Sequence, residues 1–332
     1  MTTILVTGGA GYVGSVSVVA LLRAGHDVVV LDDMTTGHRS SVAAGARLRV
    51  GTYADQASME RLLAAEGVEA ILHCGARSLV GESIVDPGTY YRDNVAGGVA
   101  LLEAARATGV DRVVFSSTAA VYGVPETTPI RETAPLRPIN PYGDTKRTFE
   151  GALHWYGAAY GLRSVTLRYF NVAGATAELG ENHDPETHLI PAILRAAEGG
   201  PALTLFGDDY PTPDGTCIRD YIHVLDLADA HLRAIQATAP DDPRTADGAL
   251  ACNLGSGGGF SNREVIAAAE AVVGHAIPYA VGPRRAGDPP VLVAAIDRAA
   301  EVLGWRPERS SLEAMIGSAW AWRQAHPAGY PD

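Results

Sequence analysis

Tyr142 and Lys146 stand four residues apart in Tyr142-Gly143-Asp144-Thr145-Lys146, a spacing that puts both on one face of a helix, one turn apart. A phenol, with an ordinary pKa of about 10, serves as a base near neutrality only where cations favour its anion. Lys146 is placed to do that. Of the 26 basic residues it is the one lysine, every other being arginine, so a generic positive charge is supplied throughout by guanidinium. The single ammonium therefore reads as a chemical requirement, a compact point charge rather than a planar fork. Upstream, the apolar run Val113-Val114-Phe115 ends in Ser116-Ser117-Thr118. That puts hydroxyls at the carboxyl end of a strand, where open α/β sheets bind their ligands. Thr118 and Tyr142 are too far apart in sequence for a local element to unite them, so the fold must do it.

Thr7-Gly8-Gly9-Ala10-Gly11-Tyr12-Val13-Gly14 follows an apolar strand, Thr3–Thr7, and opens a helix. In that setting Gly8 serves a tight turn, Gly11 lets the backbone approach a pyrophosphate, and Gly14 allows close packing of helix on strand. The helix N-terminus adds free N–H groups and a positive dipole. The next strand, Asp27–Asp32, ends on an acid at the distance where adenosine ribose hydroxyls are met. Asp32 there repels a 2′-phosphate and selects NAD over NADP. Asp33 beside it also suits a plain turn.

These groups need a scaffold, and the pattern supplies one. Apolar runs alternate with helical patterns: Thr3–Thr7, Gly14–Ala24, Asp27–Asp32, Arg47–Val50, Ser58–Glu66, Ala70–Cys74, Tyr90–Thr108 and Arg112–Ser116. Further strands are expected at Ser164–Phe170 and Ala251–Leu254, and helices at His188–Glu198 and Val224–Ala237. The alternation predicts a Rossmann-like, doubly wound parallel sheet. The Gly-, Pro- and acid-rich stretch Gly174–Gly215 and the C-terminal part predict a smaller mixed α/β substrate-binding lobe. The expected division is 1–172 with 223–256 for the dinucleotide and 173–222 with 257–332 for the substrate. Pro240–Gly248 reads as an exposed connection.

Composition narrows the function. With 332 residues, 47% hydrophobic, the chain is in the globular range, and a net charge of −12 argues against nucleic acid as a partner. Cys74, Cys217 and Cys252 are odd in number and far apart, with no CxxC, so neither a disulfide framework nor a zinc site is expected and a reducing cytoplasm fits. The opening run Met1–Val6 is too short for a signal sequence, and no apolar stretch is long enough to span a membrane.

The glycine loop, Ser116-Ser117-Thr118 and Tyr142-x-x-x-Lys146 together resemble the extended short-chain dehydrogenase/reductase family. Further segments resemble its UDP-hexose 4-epimerases: Val80-Gly81-Glu82-Ser83, Phe115 to Gly123, Arg168-Tyr169-Phe170-Asn171, His188-Leu189-Ile190-Pro191, Phe206 to Val224, and Arg284-Arg285-Ala286-Gly287-Asp288. The stretch from Asp209-Tyr210-Pro211-Thr212 to Arg219-Asp220-Tyr221-Ile222-His223-Val224 is the most specific.

The resemblance implies reversible inversion at C4 of UDP-glucose and UDP-galactose through a 4-keto sugar, with NAD retained through each turnover. It implies Tyr142 as base, Thr118 on the 4-oxygen, and Lys146 on the nicotinamide ribose while lowering the Tyr142 pKa. Cofactor contacts carry over to Gly8, Gly11, Tyr12, Val13, Gly14, Asp32, Asp33, Thr36 and Gly37. They continue at Thr52, Tyr53, Cys74, Gly75, Ala76, Asn94, Ser116, Tyr169 and Phe170. Sugar-nucleotide contacts fall on Ser78, Asn171, His188, Leu189, Thr204, Leu205, Phe206, Arg219, Tyr221, Arg285, Asp288 and Leu292. Bidentate arginine suits a pyrophosphate on physical grounds as well. Where the family usually holds the adenine amino group with Asp, this chain has Thr52, with Asp55 as the nearby substitute.

The resemblance also implies a homodimer, through a four-helix contact of the helices at Tyr90–Thr108 and Tyr142–Tyr160 carrying Val95, Val99, Leu102, Phe149, Leu153, Tyr156 and Tyr160. Three other readings stay open. A sugar-nucleotide 4,6-dehydratase needs an acid pair after the Thr, where this chain has Ala119-Ala120. A dehydrogenase would release NADH, and a non-catalytic NAD sensor would have no use for Thr118, Tyr142 and Lys146.

Overall fold

The computed structural model describes residues 1–246, 248–285 and 288–332. Valine- and leucine-rich segments form the strands β1 (Thr3–Thr7), β2 (Asp27–Asp32), β3 (Arg47–Val50), β4 (Ala70–His73), β5 (Arg112–Thr118) and β6 (Arg163–Tyr169). With Ala249–Leu254 they make a parallel sheet in the order Ala249–Leu254, β6, β5, β4, β1, β2, β3. Successive side chains point to opposite faces, and both faces are covered. Ile4, Val6, Val28, Val30, Val114 and Val165 pack on the side of the helices Tyr12–Arg23 and Val224–Ala237. Leu5, Val29, Ile71, Val113 and Phe115 pack with Leu63, Leu102, Phe149 and Leu153 from the helices opposite.

The chain winds from β1 outward to β2 and β3 and then returns to place β4 on the other side of β1, which opens the crevice where such sheets bind ligands. Register aligns the functional ends along that edge: Thr7 lies beside Leu31 and His73, and Thr118 beside Tyr169. The helix Pro141–Tyr160 starts on the Asn140 side chain, which accepts from the Gly143 N–H at 2.8 Å, has Pro at its first position and ends at Gly161 in the left-handed region.

The second unit has its own core of Ile190, Leu194, Tyr221, Val265, Ile266, Met315 and Ile316. Its strands are short: Leu203–Phe206 runs with Tyr279–Gly282, and Ile218–Arg219 lies between Phe260–Ser261 and Val291–Leu292. Ala299, Leu303 and Trp305, although late in the chain, pack into the core of the large sheet.

Three expectations are corrected. The helix Tyr90–Thr108 is not continuous: Pro87–Tyr90 leads into a wide π turn, Tyr91–Gly97, before the α-helix Gly98–Thr108. In that turn Asn94 points inward, its amide accepting from Arg77 N–H and donating to Arg77 O and Thr145 Oγ1. Pro240–Gly248 is not wholly exposed, because Thr245 is buried and the Arg163 guanidinium donates to the carbonyls of Ala239 and Asp242; Asp247 lies outside the described residues. Leu102, Phe149 and Leu153 are not available to a partner, since each is at most 1% exposed and packs on the sheet.

Candidate active site

The glycine loop is shaped as a cradle that side chains would fill. A Cβ on Gly14 would lie 2.1 Å from the Gly8 carbonyl oxygen, and one on Gly8, at φ +67°, would lie 2.7 Å from Gly75. Beside it the Asp32 carboxylate accepts from the N–H groups of Ala10 and Met34, both at 2.9 Å. Gly37 approaches Asp32 so closely that a Cβ would sit 2.8 Å from its Oδ1. Burial pushes the Asp32 carboxyl up. Tyr12 Oη donates to the Gly174 carbonyl at 2.5 Å, and Tyr53 packs edge-on against the His73 ring. The Thr52 hydroxyl accepts from Ala54 N–H, while Asp55 caps the helix Gln56–Glu66 by accepting from Ser58 N–H. Both possible adenine holders are therefore already tied to the local backbone.

Tyr142, Lys146 and Thr118 meet where the helix Pro141–Tyr160 crosses the end of β5. Gly143 permits the crossing, because a Cβ there would be 2.5 Å from the Ala120 carbonyl oxygen. Lys146 is 4% exposed, and its ammonium donates to the Ser116 carbonyl at 2.8 Å, lying 4.7 Å from the centre of the Phe115 ring and 5.9 Å from that of Tyr142. Burial brings the Lys146 pKa down to about 8, against the opposing pull of Cys74 and Glu150. Burial pushes the Tyr142 phenol up to about 12, and the group that draws it back is the Thr118 hydroxyl. The Lys146 ammonium gives one of its three donors to the Ser116 carbonyl, which leaves the other two for a ligand.

On the other side, Asp288 and Leu292, both expected at the sugar nucleotide, meet the short strand Ile218–Arg219. Arg219 Nη2 donates to Asp288 Oδ1 at 2.5 Å, and Leu292 is the register neighbour of Arg219. The Arg285 guanidinium stacks 4.1 Å from the centre of the Phe206 ring. Ala286 and Gly287 of the same motif lie outside the described residues. Asn171 donates to the Asp220 carbonyl at 2.9 Å. Leu205 and Tyr221 are at most 4% exposed, so their side chains belong to the interior, while Thr204 on the same strand as Leu205 faces outward. Ser78 and Ala76 lie in the loop after β4 that Asn94 braces through Arg77, and Phe170 packs with Ala119 and Tyr122.

His188, expected as the first residue of a helix, stands just before Leu189–Ala197 at its N-cap and is bonded to the Glu181 carboxylate. Glu181, His183, Glu186 and His188 bring one ligand atom each within 4.8 Å of one another, enough to hold a divalent cation. Their arrangement is that of a protonated imidazole between carboxylates, with Glu181 holding the His188 pKa up at about 9 against burial. Such a raised histidine stabilises fully below its ordinary value of 6.5, and the contribution is lost as pH rises through about 9. The effect is modest because His188 is half exposed. The melting temperature of a His188→Gln variant should therefore fall less between pH 7 and 9.5 than that of the parent; equal slopes would remove the pair from the account.

Two buried assemblies escaped sequence reasoning. Arg168 makes a bidentate pair with Glu150, joining β6 to the helix Pro141–Tyr160, and both side chains are at most 8% exposed. Asp220, 0% exposed, accepts from the N–H groups of Ser256, Gly257 and Ala294 and so fixes its neighbours Arg219 and Tyr221. Both residues lie in segments quoted for the resemblance, Arg168 before Tyr169 and Asp220 between Arg219 and Tyr221, but nothing there announced their partners.

The model of the NAD dependent epimerase/dehydratase family matches residues 4–246. The chain is 51% identical over 330 residues to the UDP-glucose 4-epimerase of Streptomyces lividans, covering 99% of this chain and 98% of that one. It is 49% identical to the enzyme of that name from Corynebacterium glutamicum, over 97% and 96% of the two chains. Among solved structures, the UDP-glucose 4-epimerase of Brucella ovis in complex with NAD superposes with a TM-score of 0.91 at 47% identity, covering 96% of this chain and 98% of that one. The Bifidobacterium longum UDP-glucose 4-epimerase with NAD+ and UDP gives 0.92 at 36% identity, over 99% and 100%. A glycine cradle, an acid closing β2 and a Tyr/Lys/Thr group at one sheet edge, found with these likenesses over nearly the full length, place the chain in the NAD dependent epimerase/dehydratase family.

Proposed function

We propose that this protein interconverts UDP-glucose and UDP-galactose by inverting C4, with NAD held through the cycle. The observation that carries the reading is the meeting of Thr118, Tyr142 and Lys146 at the carboxyl edge beside the glycine cradle. Ala119-Ala120 after Thr118 leave a dehydratase without its acid pair. The relatives' names agree.

The cradle of Gly8 and Gly14 with the Asp32 carboxylate suits a dinucleotide with free ribose hydroxyls. When bound, NAD+ supplies a hydride acceptor at C4 and a positive charge near the phenol. Tyr142 takes the proton of the 4-hydroxyl and later returns it; Thr118 hydrogen-bonds the 4-oxygen; Lys146 holds the nicotinamide ribose. Loss of that proton and of the C4 hydride leaves a 4-keto sugar, whose other face is presented for the return of both. Arg219 and Arg285 hold the pyrophosphate about which the ketose turns, Asp288 the uridine ribose. UDP binding must take Arg219 from its present partner, Asp288. The test is incubation of the protein with UDP-galactose and no added NAD. UDP-glucose should form; a dehydrated sugar or no product would refute the reading.

Leu292 gates the hexose 2-position in this reading. Forcing an acetamido group against it costs about 1–3 kcal/mol. UDP-N-acetylglucosamine should therefore be turned over slowly, and Leu292→Ser should gain activity on it. Comparable kcat/KM for UDP-N-acetylglucosamine and UDP-glucose in the parent would put the gate elsewhere.

The division into 1–172 with 223–256 and 173–222 with 257–332 is the working description of the two units, with the helix Asp297–Leu303 attached to the first by packing. Among the described residues no helix is long and apolar enough to cross a membrane, and the three cysteines are free, which suits the cytoplasm. A homodimer forms through the same two helices, but on a revised face. Trp155 is 69% exposed, Val95 and Val99 are half-buried, and Gly151 on the Trp155 side leaves open space for close approach. Light scattering at micromolar concentration should give twice the chain mass of 34.7 kDa, and Trp155→Glu should halve it. A parent of monomer mass would end the proposal.

A further inference from the structure

Beneath the site runs a buried chain of hydrogen bonds that none of the proposed chemistry uses. Ser17, on the helix opened by the glycine loop, has its Oγ 2.8 Å from the Val13 carbonyl and 3.0 Å from His231 Nδ1. His231 Nε2 lies 2.8 Å from Ser116 Oγ, which in turn is 3.2 Å from Cys74 Sγ. Ser17, Ser116 and His231 are each at most 1% exposed. Burial takes the His231 pKa down to about 3, so the ring is neutral and one nitrogen donates while the other accepts.

The protons of this chain are determined. A carbonyl only accepts, so the 2.8 Å contact with Val13 requires the Ser17 hydroxyl proton. Ser17 Oγ must then accept from His231, which puts the ring proton on Nδ1. Nε2 becomes an acceptor, and Ser116 Oγ donates to it. The Ser116 oxygen is left with acceptor capacity alone toward the cofactor side, where Cys74 Sγ meets it. The same residue's carbonyl holds the Lys146 ammonium. Ser116 is thus the junction of two residues assigned to the cofactor, Cys74 and Lys146, and His231 decides which way its hydroxyl faces.

We propose that His231 is a positioning residue: as the Nδ1–H tautomer it locks Ser116 as an acceptor and so holds Cys74 and Lys146 in register with the helix that carries the glycine loop. This rests on the epimerase reading. Replacing the ring by one without an acceptor frees the Ser116 hydroxyl to turn and donate into the site. Removing the Ser17 hydroxyl releases the tautomer, because Nδ1–H then has no acceptor and Nε2–H becomes the alternative, reversing the direction of the bond to Ser116.

The test compares the NAD-loaded parent with Ser17→Ala, His231→Phe, His231→Gln and the double Ser17→Ala, His231→Phe variant in the UDP-galactose assay. In His231→Phe, kcat should fall about tenfold, the scale of a small misplacement at a reacting centre, with KM and bound NAD unchanged. Ser17→Ala should lose a smaller factor, and the double variant should be no slower than His231→Phe, because both break one chain. His231→Gln, whose amide offers a donor and an acceptor, should recover most of the rate. Unchanged kcat in Ser17→Ala with a lowered melting temperature would make the chain merely structural and overturn the proposal, as would losses that multiply in the double variant. Should His231→Phe not fold, Ser17→Ala and His231→Gln decide it. A parent that fails to epimerise UDP-galactose refutes the proposed function instead; a parent that does so beside unaffected variants refutes only the role of His231.

Discussion

Tyr142→Phe, loaded with NAD, is expected to turn UDP-galactose over about 10²–10⁴ times more slowly than the parent, the usual worth of a general base. The substitution keeps the ring in its place on the helix and removes only the proton acceptor, so NAD content should be unchanged. The loss should be large because no neighbour can deputise. Cys74, hydrogen-bonded to Ser116, has its thiol pushed up to about 11 by burial. His231 is held near 3, with both ring nitrogens engaged. His73 is likewise held near 3 and is bonded to Thr7 Oγ1. Burial pushes the Tyr169 phenol up as well. A Phe variant working at the parental rate would mean that the proton leaves by a route none of these groups provides.

The sheet was legible because most of its strands are apolar runs of the right length between turn signals, the edge strand Arg47–Val50 being the exception, and buried parallel strands read as nearly unbroken aliphatic stretches. The glycine cradle was legible because its requirements are local: strand, turn, helix and the acid that closes the next strand. The Tyr142/Lys146 pair was legible through helical spacing and through the scarcity of lysine. What escaped depends on contacts distant in sequence. Ser17 and His231 are separated by most of the chain, as are Arg77 and Asn94 from Thr145 by a smaller interval, and no periodicity announces that they touch. The break in the helix before Gly98 escaped the same way: the wide turn carries Asn94, whose inward bonds go to Arg77 and Thr145. Leu102, Phe149 and Leu153 differ from expectation for a related reason: a hydrophobic residue on a sheet-covering helix is claimed first by the sheet. The helix pattern gives an apolar stripe without saying which stripe is left over.

Lys146→Arg keeps the charge and is expected to cost at least about tenfold in kcat, roughly 1.4 kcal/mol of barrier. The ammonium is 4% exposed, seated against the Phe115 ring with one hydrogen bond to the Ser116 carbonyl. A planar guanidinium there must either displace that ring or withdraw from the carbonyl, and in neither place does it meet a pair of ribose hydroxyls as a compact ammonium does. The pH profile separates this from simple overpacking. Burial brings Lys146 down to about 8, so the parent loses the charge, and with it rate, as pH rises through that value. Arginine does not titrate in this range, so the variant, although slower, should show no alkaline limb near pH 8. A variant retaining that limb would assign it to another group, and near-parental turnover with bound NAD would remove Lys146 from the chemistry.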